Sequence, residues 1–390
     1  MSFTMYIPTK IIFGVGSLAK FHDQPMPGKK ALVVISNGKS TKTNGYLDRL
    51  IDELTQAGVA YFLFDKVQAN PLKSTIMAGA AAARQEGCDF VVALGGGSVL
   101  DAAKIIAMMA TNPGDLWDYV NGGSGKRQRV EQANLPVICI TTTAGTGSEV
   151  DEWGVVNNEE TQEKIGCGGI PSLFPVFSII DPELMTTVPP KFTAYQGFDA
   201  LFHSTECYIS KASNLMSDMY ALKAIENVGQ YLPRAYADGQ DLEAREHMAF
   251  ANTLSGVVMS LSCCTSEHSL EHALSAFHPE LPHGAGLIMI SLAYYGHFIE
   301  AHVCDERFVA MARALGMTGA DRPEDFLTAL EKLQEACGVR NLRLADYGFK
   351  RDELGLVADK AKKTMRALFR ADPVALSHDD CVAILEKSYQ

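Results

Sequence analysis

The stretch Ser266 to Gly284, SEHSLEHALSAFHPELPHG, holds four of the chain's ten histidines: His268, His272, His278 and His283. Imidazole ligates metals and exchanges protons near neutral pH. Upstream, GFDALFH sets Asp199 and His203 four residues apart, on one face of an expected helix. SEHSLEH does the same for His268 and His272, and His283, between Pro282 and Gly284, is expected to be presented by a turn. One carboxylate and up to four imidazoles can therefore converge. Such a nitrogen and oxygen donor set suits Fe2+ or Zn2+ better than soft-metal thiolate chemistry. A single Asp/His pair at this spacing is ordinarily a solvated helix face; two pairs followed by PHG are what point to a site.

A second chemistry stands earlier in the chain. DFVVALGGGSVLDAAK places Gly95, Gly96, Gly97 and Ser98 after an apolar strand and before a helix, with Asp101 in the first helical turn. Glycine permits close backbone approach, and the free N–H groups of a helix start favour an anion. A flexible turn is the plainer reading of GGG alone, and this is not the GxGxxG fingerprint. PVICITTTAGTGSEV repeats the arrangement with Thr142, Thr143, Gly145, Thr146, Gly147 and Ser148. Its plainer reading is a Thr-rich strand end with a capped helix. Two such loops at the ends of parallel strands suit a dinucleotide.

The elements needed to hold these residues fall into two sets. Apolar runs at 31–36, 59–65, 89–95, 136–141 and 176–181 alternate with helical patterns at 44–58, 74–87 and 98–110. That alternation predicts a parallel sheet covered by helices. From Thr193 onward nearly every segment has helical spacing. An α/β dinucleotide-binding domain over 1–188 and an all-helical metal-binding domain over 189–390 are expected. With 390 residues and 47% hydrophobic content, the chain can bury two cores. A net charge of −12 argues against nucleic acid or an anionic membrane as partner. The start, MSFTMYIPTKIIFGVGS, lacks the pattern of a secretory signal. GLIMISLAYYGHFI is too short and too polar to span a membrane, which takes about 18 apolar residues. Nine cysteines without a CxxC pair read as reduced thiols in a cytoplasmic protein. The adjacent Cys263 and Cys264 are not read as ligands.

Taken together, GGGSVLD (95–101), TTAGTGSE (142–149), GFDALFH (197–203) and the H-x3-H…PHG pattern (268–284) resemble the iron-containing, group III alcohol dehydrogenase family. The resemblance runs nearly end to end, and SNGKSTKTNGYLDRL is most similar to its butanol dehydrogenase-like branch. It implies a dehydroquinate synthase-like fold, an α/β domain followed by an all-α domain with the active-site cleft between them. Carried over by position, Asp199, His203, His268 and His283 match the metal ligands, and His272 matches a catalytic histidine beside the nicotinamide. Gly96, Gly97, Ser98 and Asp101 match pyrophosphate and nicotinamide contacts. Thr142, Thr143 and Thr146 match the second cofactor loop, and Asn70 and Lys164 further polar positions. Two departures stand out. Glu271 replaces a small residue beside His272, and one extra residue precedes PHG, in the segment holding His278 and Glu280; both are expected to reshape the pocket wall. His278 itself is expected to be a loop residue.

The implied function is hydride exchange between a small alcohol, or its aldehyde or ketone, and a nicotinamide, assisted by one divalent cation that polarises the oxygen. A homodimer or larger homo-oligomer is expected. A polyol or hydroxy-acid dehydrogenase is the alternative within the family. A dehydroquinate synthase-like lyase would need basic residues near the metal, where Glu267, Glu271 and Glu280 stand instead. A non-enzymatic metal- or nucleotide-binding module would not need both sites. For the cofactor, many family members carry an acidic residue after the first strand, which repels a 2′-phosphate. Here Asn37, Gly38, Lys39 and Ser40 follow ALVVIS with no carboxylate. NADP(H) is thereby favoured over NAD(H), through Gly38, Lys39 and Ser40; an ordinary Asn-Gly turn with a solvated lysine is the plainer reading.

Overall fold

The computed structural model describes residues 3–389. Packing divides the chain into an α/β unit, 6–143 with 147–187, and a helical unit running from Val188. The short loop Ala144–Thr146 and the described residues before Tyr6 pack with the helical unit.

In the α/β unit, strands β1 (Lys10–Phe13), β2 (Lys30–Ser36), β3 (Ala60–Val67), β4 (Phe90–Gly95), β5 (Val137–Thr141) and β8 (Phe177–Ile180) form one parallel sheet in the order β1-β8-β5-β4-β2-β3. Strands β6 (Trp153–Asn158) and β7 (Glu163–Gly168) form a separate antiparallel hairpin. The helices are α1 (Ser40–Thr43), α2 (Tyr46–Gln56), α3 (Lys73–Glu86), α4 (Gly97–Thr111) and α5 (Leu116–Tyr119). Every residue of β4 and β5 is buried, which is why FVVALG and VICIT are unbroken apolar runs rather than alternating ones. The pleat sends Leu32, Val34, Val91 and Ala93 into one core with α3 and α4, and Val33, Ile35, Val92 and Leu94 into another with α2. Strand β3 lies on one side of β2 and β4 on the other, so the winding reverses between β2 and β4. At the carboxyl ends of such a pair, open α/β sheets bind ligands.

The helical unit comprises α6 (Pro190–Ile209), α7 (Leu215–Ala237), α8 (Leu242–Leu261), α9 (Ser266–Phe277), α10 (His283–Glu300), α11 (Asp305–Ala314), α12 (Asp325–Ala336), α13 (Leu354–Thr364), α14 (Arg366–Ala371) and α15 (His378–Lys387). Helix α6 is its axis: from Thr193 to Ile209 only Gln196 escapes full burial, and α7, α8 and α10 pack around it. One expectation is corrected, and two further features differ from the pattern of the sequence. His283 is not on a turn but is the first residue of α10, with Pro282 as its cap. The single helical pattern over 351–368 breaks at Met365 (φ −122, ψ 55) into α13 and α14. Strand β1 and the β6–β7 hairpin carried no strand signal, being short or interrupted by Gly, Asn and Glu. Among the described residues, no single helix is long and apolar enough to cross a membrane.

Buried Asp372 ties the C-terminal segment to α9, accepting from Ser266 N at 2.8 Å and from Tyr294 Oη at 3.1 Å. Burial pushes its carboxyl up to about 7, against the hydrogen bonds that favour the anion, while the Glu206 charge adds to the rise. A carboxyl raised in the folded state helps stability below its unfolded value of about 4 and loses that help as pH rises towards 7. The loss is on the order of 4 kcal/mol at about 1.4 kcal/mol per pH unit. Asp372→Asn should therefore raise Tm more at pH 8 than at pH 5. Melting curves of both proteins at the two pH values check this, and an equal difference at each would refute it.

Candidate metal and cofactor sites

On α6, Asp199 and His203 lie one turn apart, both buried. The Asp199 Oδ1 atom stands 3.5 Å from His268 Nε2 on α9 and 3.4 Å from His283 Nε2 on α10. These three atoms form a mutually close donor set. Neither Asp199 Oδ1 nor His268 Nε2 has a hydrogen-bond partner in the buried site. Buried polar atoms are rarely left so, and a shared cation accounts for both. The donor set fits a divalent ion of the iron or zinc kind.

Backbone packing keeps the set close. A Cβ on Gly284 would lie 2.2 Å from Tyr195 O, so only glycine lets the start of α10 approach α6 this tightly. A Cβ on Gly145 would stand 3.1 Å from Asp199 Oδ2. Gly145 O lies 3.3 Å from His203 Nδ1 and so accepts from that ring when Nδ1 carries the proton. The His203 ring stacks on His268 at 4.3 Å, and its Nδ1 is 3.6 Å from Asp199 Oδ1. Its close donor group is with His268 and Cys264 rather than with Asp199 and His283, and Cys264 is a thiol not expected among the ligands. Burial pushes the His203 pKa down to about 3, against the pull of Asp199, so this ring is neutral at ordinary pH and free to ligate.

Behind the ligands stand carboxylates. Glu206 on α6 takes His268 Nδ1 on one oxygen and, on the other, accepts from Thr265 N at 2.8 Å and Thr265 Oγ1 at 3.1 Å at the start of α9. It thereby orients the imidazole and caps the helix that bears it. Burial lowers the His268 pKa, but the Glu206 and Asp199 charges outweigh it and raise the value well above normal. Glu271, expected to reshape a pocket wall, is instead fully buried against His283 Nδ1. Glu267, also buried, accepts from Tyr295 Oη at 2.6 Å. Burial, with the Glu206 charge, holds the Glu267 carboxyl well above the usual range, so Glu206 and Glu271 are the groups that would bring the charge about a bound divalent ion below the +1 that the four candidate ligands alone would leave.

His272 is buried one turn beyond His268, its ring 5.4 Å from that of His283 and its Nδ1 3.0 Å from Met365 Sδ. His278 caps the end of α9, packs on Phe349 with ring centroids 4.0 Å apart and pairs with Glu353 at 3.3 Å. It is a loop residue with its own partners.

In the α/β unit the two glycine and threonine loops lie side by side, because Gly95 and Thr141 are paired in β4 and β5. Thr142 N donates to Gly95 O at 2.9 Å, and a Cβ on Gly96 would stand 2.9 Å from Thr143 Cγ2. Gly96, Gly97 and Ser98 form the start of α4, and Gly38, Lys39 and Ser40 follow β2 at the reversal point of the sheet. Asp101 is revised. Its carboxylate accepts from Ser148 Oγ at 2.6 Å and Val155 N at 2.9 Å, which pins the second loop and the β6–β7 hairpin to α4. Lys164 is buried on β7 opposite Asn157, whose N–H donates to Pro71 O at 2.8 Å; Asn70, at φ 53, precedes Pro71 in the loop between β3 and α3. Thr146 packs with the helical unit rather than with Thr142 and Thr143.

Residues 8–182 match the iron-containing alcohol dehydrogenase family, and residues 193–389 match the C-terminal part of the Fe-containing alcohol dehydrogenase family. The chain belongs to the iron-containing alcohol dehydrogenase family. It is 33% identical to alcohol dehydrogenase 4 of Saccharomyces cerevisiae, over 99% of this chain and 98% of the relative. It is 37% identical to choline dehydrogenase of Bacillus subtilis, over 80% and 77% of the two chains. A crystal structure of an archaeal halo-thermophilic alcohol dehydrogenase from a Red Sea brine pool superposes with a TM-score of 0.94 at 34% identity, covering 100% and 99%. As a member of this family the chain is a metal-dependent alcohol dehydrogenase, an oxidoreductase acting on CH–OH with iron and a nicotinamide cofactor.

Proposed function

We propose that this dehydrogenase interconverts a small, uncharged alcohol and its aldehyde or ketone, using NADP(H) in preference to NAD(H). The convergence of Asp199 Oδ1, His268 Nε2 and His283 Nε2 carries the reading. Asp199, His203, His268 and His283 would hold Fe2+ or Zn2+, which when bound supplies Lewis-acid stabilisation of negative charge developing on the substrate oxygen. A nicotinamide held by the loops after β2, β4 and β5 supplies or accepts the hydride.

The chain's own residues do the rest. Glu206 and Glu271 hold the Nδ1 atoms of two ligand rings, which turns the Nε2 lone pairs towards Asp199. His272 is placed to exchange a proton. The buried carboxylates Glu206 and Glu271, both against candidate ligand rings, disfavour a carboxylate or phosphate on the substrate. That argues against a hydroxy acid and against a dehydroquinate synthase-like reaction.

Lys39 is exposed at the start of α1. The nearby Asp65 on β3 pairs with Lys42 at 2.5 Å, and that hydrogen bond, against slight burial, lowers the Asp65 pKa. The carboxylate at this strand end is therefore countered, and Lys39 stands ready for a 2′-phosphate. Lys39→Ala should reduce the ratio of kcat/KM for NADP(H) over NAD(H) by about tenfold or more, the worth of a hydrogen bond to a charged group. Steady-state kinetics with primary alcohols, diols and aldehydes and both cofactors, after metal reconstitution, tests the whole reading. Equal or better use of NAD(H) by the wild type would overturn the preference, and an unchanged ratio in the variant would remove Lys39 from its cause.

A further inference from the structure

Glu271 stands where the family commonly has a small residue, and the fold shows what it does there. It lies on α9, fully buried, with Oε2 against His283 Nδ1. The far nitrogen of that same ring, Nε2, is 3.4 Å from Asp199 Oδ1. A hydrogen bond at Nδ1 fixes the tautomer, so that Nε2 presents a lone pair. Room for the carboxylate is made by Gly286, three residues after His283: a Cβ there would stand 2.8 Å from Glu271 Cγ and 3.1 Å from Oε1. A buried carboxylate is costly unless a donor or cation compensates it, so the pairing is a built feature. His283 is also the ligand most in need of it. It opens α10 and its side chain is 23% exposed, against 6% for His268.

We propose that Glu271 is a positioning residue for the metal centre, aiming His283 Nε2 at the ion and raising its donor strength. With Glu206 behind His268, two of the imidazoles are thereby backed by carboxylates, one from α6 and one from α9. This rests on His283 being a ligand. Glu271, His272 and His283 also have mutually close donor atoms, so direct ligation by Glu271 is the competing outcome.

The test uses metal-free wild type, Glu271→Gln and Gly286→Ala. Zn2+ affinity is measured by competition with a chromophoric chelator, Co2+ spectra are recorded in the visible, and Tm is measured without metal. Glu271→Gln keeps the shape and removes the charge. It should weaken Zn2+ binding about 10–100-fold, shift the Co2+ bands without changing the ligand number, and leave the metal-free Tm level or higher. Gly286→Ala, which crowds the carboxylate without altering it, should weaken Zn2+ binding in the same direction. Wild-type affinity in both variants would overturn the role, as would an affinity loss matched by a lower metal-free Tm. Complete loss of binding in Glu271→Gln would make Glu271 a ligand rather than a positioning residue. Failure of the wild type itself to bind Zn2+ would instead sink the metal-site reading, and this inference with it.

Discussion

Asp199→Asn is expected to abolish stable binding of the divalent ion and to lower turnover by about a thousandfold or more. Lewis-acid stabilisation is worth several kcal/mol, and each 1.4 kcal/mol is about a factor of ten in rate. Asp199 is the one anion in the proposed ligand set, and its Oδ1 is the atom on which His268 and His283 converge. Asparagine keeps the volume and removes the charge, so the helical unit should fold; burial opposes the Asp199 anion, and the surrounding imidazoles nonetheless hold its carboxyl well below the usual range. His268→Ala is a poorer probe, since it would leave Glu206 buried without its imidazole. Metal content by elemental analysis, with circular dichroism for the fold, decides the matter. Full occupancy and normal turnover in Asp199→Asn would break the assignment. His203→Ala is the companion measurement: retained metal would take His203 out of the ligand set and leave it as the ring stacked on His268.

The proposed ligand pairs were legible because their spacing is local. A helix puts residues four apart on one face whatever surrounds it, so GFDALFH and SEHSLEH announce paired donors before any tertiary contact is known. The sheet was legible for a similar reason, since β2, β4 and β5 are buried on both faces and read as continuous apolar runs. Glu206 was not noticed, although a signal existed. It follows Asp199 by seven residues, two turns along the same face as His203. What spacing could not supply is its partner on α9, because the Glu206–His268 contact joins residues 62 positions apart. Glu271 was noticed but misplaced. Beside His272 in sequence, it points to His283 across the αα-turn, and only the approach of α10, permitted by Gly284 and Gly286, reveals that. For Asp101 the motif position suggested a cofactor contact but gave no sign of the bonds its carboxylate makes to Ser148 and Val155, 47 and 54 positions away. The hairpin of β6 and β7 escaped because its strands, WGVVNN and EKIGCG, interrupt their apolar residues with Gly, Asn and charge.

What holds each ring sets His272 apart from the proposed ligands His268 and His283. Carboxylates grip the Nδ1 atoms of His268 and His283, as ligand histidines require. The Nδ1 of His272 instead faces the thioether of Met365 at 3.0 Å, a weak acceptor rather than a carboxylate. Its ring lies 6.2 Å from that of His268 and 5.4 Å from that of His283, near the donor set without belonging to the triad centred on Asp199. His272→Ala is therefore expected to keep the ion while losing about 10²–10⁴-fold in turnover, the usual cost of removing a positioned acid or base. The arm of the pH–rate profile owed to this group should flatten in the variant. His272→Asn, polar but unable to exchange the proton, should behave like alanine if proton transfer is the role, and like wild type if a hydrogen bond alone is needed. Metal content and pH–rate profiles of the three proteins settle it. Loss of the ion from His272→Ala would place His272 among the ligands, in the close group it shares with Glu271 and His283.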